Sequence, residues 1–494
     1  LVCVDVTTGE AERITDGFRS YGGATLSPDG SMIAFVDTPR TGTHPDRYTR
    51  SAVYLMDADG SDVRPVLDAP DRSFSSPEWL SDGRGLVVSW SVATDPERWG
   101  FQSQLATVRL DGSGFASLTD DWPSGAGGAI IDGDSVWFSS AWEGTFPLKR
   151  LTIDGRIMQT MFDDDAGVRT FDVEGGTVVA AITTIESPSE LYVVRPDAHA
   201  EKLTSLNGWI EDRIISRPSE HWVERPDGTR VQYWVMAPTN ADAGASYPTV
   251  LEMHGGPSAM WGPGEASMWH EFQLLASWGY GVVYSNPRGS SGYGREFQAA
   301  NYRDWGFGPQ GDVLAALDDA AARYGWIDTD RLFLTGGSYA GYLTAWIVSQ
   351  DHRFKAAVAQ RGVYDLDTFF GEGNAWRLVP WAFGGYPWEE APGAVLERES
   401  PFTYVDQIDT PLLIMHASQD LRTGVMQSQM LYRALKVLEK PVEYVRYPGA
   451  GHDLSRSGRP KQRMDRLNRI VEFFERYADN ERPAPVQASS EGGE

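Results

Sequence analysis

The chain has 494 residues, 41% of them hydrophobic, and carries 43 Lys and Arg against 69 Asp and Glu for a formal charge of −26. That length and apolar content can fill two sizeable cores, while so acidic a balance argues against a nucleic-acid partner, whose phosphates need a basic surface. A single cysteine, Cys3, excludes an intramolecular disulfide and a thiolate metal site, and no apolar run approaches the roughly 18 residues of a membrane span.

The first half is built of short β-rich runs separated by polar turns, and it repeats. Strands open at Leu1-Val-Cys-Val-Asp, Val53-Tyr-Leu-Met-Asp, Leu105-Ala-Thr-Val-Arg, Leu148-Lys-Arg-Leu-Thr and Leu191-Tyr-Val-Val-Arg, in steps of 52, 52, 43 and 43 residues. A period of that size with several strands per unit predicts propeller blades, with an irregular β-sandwich as the rival. Ser27-Pro-Asp-Gly30 and Leu80-Ser-Asp-Gly83 supply tight turns at matching places in the first two units. About five units fill residues 1–212, opening in what reads as the last part of a blade with no initiator Met. The expectation is an incomplete propeller in an N-terminally truncated sequence. Asp163-Asp-Asp165 reads as a solvated loop with no continuing ligand spacing, so no metal is expected.

Residues 213–481 have a different texture, that of an α/β domain with a doubly wound, mostly parallel sheet. A hairpin over His221 to Pro238 opens it. Thr249-Val-Leu-Glu-Met-His-Gly-Gly-Pro257 ends a strand in a Gly-Gly turn, where backbone N–H groups can approach an oxyanion; Gly256 is the expected donor and Gly255 the alternative. Leu332-Phe-Leu-Thr-Gly-Gly-Ser-Tyr-Ala-Gly-Tyr342 reads as a buried strand, a tight turn with Ser338 at its apex, and a helix. This is the pattern of a nucleophile elbow, with Ala340 where glycine is usual and the Tyr339 N–H as a second oxyanion donor.

An elbow serine needs an acid and then a histidine downstream. Pro411-Leu-Leu-Ile-Met-His416 reads as a buried parallel strand, which puts Asp420 at its carboxyl end, whereas Asp406 and Asp409 precede it. Val442 to Tyr447 is the next strand, and Pro448-Gly-Ala-Gly-His452 the loop after it, followed by a helix from about Gln462 to Tyr477. Ser338, Asp420 and His452 thus stand in the required order. His416 is expected to pack or anchor its loop, and Asp365 to cap a helix. Residues 482–494, rich in Pro, Ser, Gly and Glu, are expected to be disordered.

The motifs His254-Gly-Gly-Pro257, Asn286-Pro-Arg-Gly-Ser-Ser-Gly-Tyr-Gly294, Gly336-Gly-Ser-Tyr-Ala-Gly-Tyr342, Asp420-Leu-Arg422 and Gly451-His452 resemble the prolyl oligopeptidase family of serine peptidases, in its acylaminoacyl-peptidase or dipeptidyl-peptidase branch. The resemblance implies an α/β hydrolase domain behind a propeller that admits short peptides. It also implies Ser338 as nucleophile, Asp420 as orienter, His452 as base and Arg422 as a substrate-binding residue. Within the aromatic stretch between elbow and acid it points to Tyr364, Trp376 and Leu378 as pocket residues. Gly424 departs from the family, which commonly has proline there. A short peptide or N-acyl-peptide substrate is expected, with no cofactor, no nucleic acid and no membrane, in a cytoplasmic protein whose relatives commonly form homo-oligomers. An esterase or amidase could use the same groups, and a non-catalytic propeller scaffold is the alternative of another class.

Overall fold

The computed structural model describes residues 1–15, 21–38, 50–93, 99–162, 165–197 and 199–478. Asp163, Asp164 and the 482–494 tail lie outside the described residues.

The N-terminal half is a β-propeller of antiparallel four-stranded sheets over residues 22–67, 72–117, 130–162 and 166–202, preceded by the strand pair Val2–Val4 and Ala11–Arg13. The sequence repeat falls on the third strand of each four-stranded sheet, at Ala52–Asp57, Gln104–Arg109, Leu148–Thr152 and Glu190–Val194. A third strand has neighbours on both edges, so its apolar residues are buried: Val53, Leu55, Leu105 and Leu148 are fully enclosed. Successive sheets share apolar clusters. Leu55 packs with Phe74 and Val88, Val87 with Val136 and Phe138, and Trp137 with Val168 and Ile182. This face-to-face stacking is what a propeller requires, because no single sheet buries both its faces alone.

The C-terminal half is one eight-stranded sheet. In chain order its strands are β1 (Ser219–Glu224), β2 (Arg230–Met236), β3 (Tyr247–Met253), β4 (Gly281–Asn286), β5 (Ile327–Gly337), β6 (Phe354–Gln360), β7 (Leu412–Ala417) and β8 (Val442–Tyr447). They are arranged β1-β2-β4-β3-β5-β6-β7-β8. Strands β1 and β2 form the antiparallel hairpin, and β2 lies antiparallel to β4; all pairs from β4 onward are parallel. Strands β3, β4 and β7 are buried along their whole length, as a sheet covered on both faces demands. Helices α1 (Ala266–Ser277) and α5 (Pro460–Tyr477) cover one face through Phe272, Leu275, Ile470 and Phe474. Helices α2 (Phe307–Arg323), α3 (Tyr339–Gln350) and α4 (Val425–Val437) cover the other through Val313, Trp346 and Leu431. Among the described residues no helix is long and apolar enough to cross a membrane.

The two halves touch through polar contacts. Trp99 Nε1 donates to Asn301 Oδ1 at 3.0 Å, Gln232 Nε2 to the Glu143 carbonyl at 3.1 Å, and Arg169 pairs with Glu265 at 2.7 Å. Glu265 also caps α1, accepting from the Ser267 N–H at 2.9 Å.

One buried ion pair pins α5 to α1: Arg466 donates through both terminal nitrogens to Glu271, and its Nη1 also reaches Gln360 Oε1 at 2.6 Å. Glu252, 1% exposed, lies beside them; burial and then the charge of Glu271 hold its carboxyl well above the usual range. Removing one partner of a buried pair leaves the other charge uncompensated, at about 3–5 kcal/mol. Arg466→Met should therefore lower stability by about that amount at pH 8, and by less at pH 5, where carboxyls left without a counter-charge take up protons. Thermal denaturation at the two pH values checks this. An unchanged midpoint at pH 8 would show that the pair is dispensable.

Candidate active site

Strand β5 delivers Ser338 to the carboxyl edge of the sheet. Its backbone is held at φ 63° and ψ −124°, a conformation that costs a serine about 1–3 kcal/mol and persists only when its surroundings impose it. They do so by close approach. A Cβ on Gly336 would lie 2.5 Å from that of Ala340, and one on Gly341 would lie 2.4 Å from the Gln360 carbonyl oxygen. Ala340 is tolerated in place of the usual glycine because Gly336 leaves room for its methyl. The Ser338 N–H donates to the Gln360 carbonyl at 2.9 Å, tying the turn to the end of β6.

Asp420 follows β7 and His452 follows β8, so three strand ends converge. His452 Nε2 lies 3.0 Å from Ser338 Oγ, and His452 Nδ1 lies 2.7 Å from Asp420 Oδ2. The other carboxylate oxygen, Asp420 Oδ1, accepts the N–H groups of Arg422 and Thr423 at 2.8 and 3.0 Å. His416 sits against the same loop: Nδ1 is 2.6 Å from Ser428 Oγ, and Nε2 is 2.9 Å from the Thr423 carbonyl and 3.4 Å from Asp420 Oδ2. Burial alone would raise the Asp420 pKa, but the hydrogen bonds from His416, His452 and the Thr423 N–H outweigh it and hold the carboxyl well below the ordinary range. Asp453, next to His452, is turned to Arg456. Asp365 caps a short helix by accepting from the Thr368 N–H at 2.7 Å.

Tyr339 begins α3, so its N–H has no helical acceptor, and Gly255 and Gly256 line the same cavity as Ser338. A Cβ on Gly255 would lie 3.2 Å from that of Ser338, which puts this loop directly against Ser338. His254 anchors it, with ring nitrogens 2.8 Å from the Gly255 carbonyl oxygen and 2.9 Å from Ser290 Oγ. Burial pulls its pKa down to about 4, so the ring is neutral and structural.

The cavity around Ser338 and His452 measures about 750 Å³ and is walled by Met260, Trp261, Arg361, Asn374, Leu421 and Arg422, among others. Arg422 stands where the motif put it. Tyr364, Trp376 and Leu378 do not line this cavity, which corrects the expected pocket. Tyr364 is 1% exposed in the core beneath the sheet edge, Leu378 packs against the same core, and Trp376 stacks edge-on with Phe370. Of the aromatics between elbow and acid, Tyr364, Phe369 and Phe383 belong to the core, and Met260 and Trp261 from the loop after β3 contribute to the cavity wall. Trp261 and Arg361 went unremarked in the sequence, although Arg361 follows β6 by the same strand-end rule that found Asp420. At Gly424 the backbone φ of −65° would suit the commoner proline, but any Cβ there would lie within 2 Å of the Glu372 carboxyl, which caps α4 through the Met426 N–H at 2.9 Å.

A serine, a histidine and a buried carboxylate in relay on a doubly wound sheet, faced by a propeller, define a serine hydrolase architecture of two halves. Residues 266–481 match the family model described as the prolyl oligopeptidase family. It is 40% identical over 301 residues to the uncharacterized peptidase YuxL of Bacillus subtilis, covering 60% of this chain and 45% of that one. It is 26% identical over 440 residues to dipeptidyl-peptidase 5 of Porphyromonas endodontalis, covering 86% and 62%. The chain therefore spans about half to three fifths of the length of these relatives. The fold superimposes on acylaminoacyl peptidase of Pyrococcus horikoshii with a TM-score of 0.75 at 22% identity, covering 96% and 84% of the two chains. A puromycin-hydrolyzing peptidase of Mycobacterium tuberculosis gives 0.74 at 23%, covering 96% and 72%.

His452 is governed first by burial, which lowers its pKa, then by its bond to Asp420, which raises it, and then by the Arg361 charge, which lowers it; the net direction is down from the 6.5 of a free histidine. A depressed pKa keeps the imidazole neutral, and so able to take the Ser338 proton, to lower pH than a free histidine. The rate of fluorophosphonate labelling at Ser338 should fall on acidification with a midpoint below 6.5. A midpoint at or above the free-histidine value would overturn this ordering of effects.

Proposed function

We propose that this chain is a serine peptidase that cleaves short peptides, releasing N-acylated amino acids or short amino-terminal units. What carries the reading is the unbroken relay from Asp420 Oδ2 through His452 to Ser338 Oγ at 2.7 and 3.0 Å. Ser338 attacks the scissile carbonyl as His452 Nε2 takes its proton, and the tetrahedral oxyanion is held by the Tyr339 and Gly256 N–H groups. His452 then protonates the leaving amine, and water, activated by the same imidazole, hydrolyses the acyl-enzyme. Asp420 stays ionised throughout, orienting the ring and stabilising the imidazolium. Arg422 holds a carbonyl or carboxylate of the bound peptide beside the triad. In this reading residues 213–481 form the catalytic unit and residues 1–212 the cap that restricts entry to short or flexible chains.

Acetyl-leucyl, free aminoacyl and dipeptidyl anilides, compared with simple aryl esters, test it. Acetyl-leucyl or dipeptidyl anilides should be turned over, and Ser338→Ala should abolish both turnover and fluorophosphonate labelling. Asp420→Asn should lower kcat by roughly ten-thousandfold. Turnover of esters alone would replace the peptidase reading with an esterase, and a folded chain that never labels at Ser338 would remove catalysis altogether.

A further inference from the structure

Arg361 is a buried cation next to Ser338 that makes no ion pair among the described residues. Its backbone is clamped at the point where the site is assembled: the N–H donates to the Met415 carbonyl at 2.7 Å, and the carbonyl accepts from Thr423 Oγ1 at 2.9 Å. The residue is held at φ 42°, a left-handed conformation uncommon outside glycine, so the direction of its side chain is imposed by the surrounding structure. That side chain lies over Gly337, the residue before the nucleophile, where an added Cβ would stand 2.8 Å from the guanidinium carbon.

The guanidinium is poorly satisfied. Nη2 donates to Ser455 Oγ at 3.2 Å, while Nε is shut off from solvent with no acceptor. Three other arginines along the cavity wall have carboxylates: Arg466 pairs with Glu271, Arg456 with Asp453, and Arg169 with Glu265. Among the described residues Arg361 makes no ion pair with a carboxylate. Burial, followed by the like charges of Arg466 and Arg456, pulls its pKa down to about 10, which still leaves it cationic at neutral pH. Taking a cation out of water without a partner costs several kcal/mol, and the planar fork of arginine matches a carboxylate in two parallel hydrogen bonds. The open volume that would supply such a partner is the substrate cavity, whose wall includes both Arg361 and Ser338.

We propose that Arg361 is a specificity-determining residue that binds a carboxylate of the substrate close to the scissile bond, so that the site selects peptides carrying a free carboxylate there. This rests on the peptidase reading and narrows its substrate class. Two sources offer that chemistry: the α-carboxylate of a short leaving peptide, and the acidic side chain of the residue that acylates Ser338.

Matched substrates distinguish them. Acetyl-Leu-Gly against acetyl-Leu-Gly-amide varies the α-carboxylate alone, and acetyl-Glu-anilide against acetyl-Gln-anilide varies the side chain alone. The chain should prefer the charged member of one pair, and that pair names the source. Arg361→Gln should lower kcat/KM for that charged substrate by about 10- to 100-fold, mainly through KM, while the neutral partner changes by about threefold at most. Arg361→Lys, which keeps the charge and loses the fork, should recover part of the preference, and it serves as the second variant should Arg361→Gln fold poorly. Fluorophosphonate labelling at Ser338 confirms in each variant that the triad is assembled. Equal losses on charged and neutral partners, or no preference in either pair by the unaltered chain, would overturn the assignment. Turnover of the neutral substrates without a carboxylate preference sinks only this proposal, whereas absence of turnover on all four sinks the peptidase reading and this proposal with it.

Discussion

A carboxylate taken out of water is tolerable only if its lone pairs are filled, and at Asp420 they are. Two backbone N–H groups occupy one oxygen, His452 and Thr423 Oγ1 reach the other, and His416 stands 3.4 Å behind it. The satisfied charge does two things at once. It fixes the loop after β7 in one conformation, and it holds the His452 ring with Nε2 facing Ser338. The elbow supplies a strained serine, but a serine at the apex of a turn is inert without an oriented base. The geometry of the site therefore depends on the Asp420 environment more than on the serine itself.

That environment is assembled from strand ends. In a parallel sheet every carboxyl terminus points the same way, and loops after adjacent strands meet whatever their separation in sequence. Ser338, Arg361, Asp420 and His452 follow β5, β6, β7 and β8, four neighbours in the sheet. Cross-loop hydrogen bonds convert this proximity into registry: Ser338 N–H to Gln360, Arg361 N–H to Met415, and the Asn374 N–H to Leu421 at 2.6 Å. Each bond joins the loop after one strand to another strand end or loop, so a displacement of one loop is resisted by its neighbours.

The same logic explains what could be read from the sequence. Strand ends are local signals. An apolar run closing on a small-residue turn pointed to Ser338, and the runs before Asp420 and His452 pointed to those residues, because β7 is buried along its whole length and β8 closes on a glycine-rich turn. The propeller period was legible because a central strand in each sheet must be apolar, and the repeat fell on the third strand. The cavity wall was not legible. Tyr364 and Trp376 share the composition of a pocket aromatic, and only tertiary packing assigns Tyr364 to the core and Trp376 to the edge of Phe370, while bringing Trp261 across from the loop after β3. Arg361 was hidden for another reason. What sets it apart is the carboxylate it lacks, and a missing partner leaves no mark in the residues around it.

The propeller enters the site by one chain of contacts. Arg169, on its last four-stranded sheet, pairs with Glu265; Glu265 caps α1; α1 carries Glu271; and Glu271 binds Arg466, which reaches Gln360 at the end of β6. Gln360 in turn accepts the Ser338 N–H and precedes Arg361. Arg169, Glu265, Glu271, Arg466, Gln360 and Arg361 all line the cavity, so its charged wall is shared between the two halves. Arg169 and Arg466 are paired with Glu265 and Glu271, and Arg361, beside Ser338, makes no such pair among the described residues. A substrate carboxylate would complete a network that the two halves build together and leave one anion short, which ties the chemistry of the substrate to the packing of the propeller on the sheet.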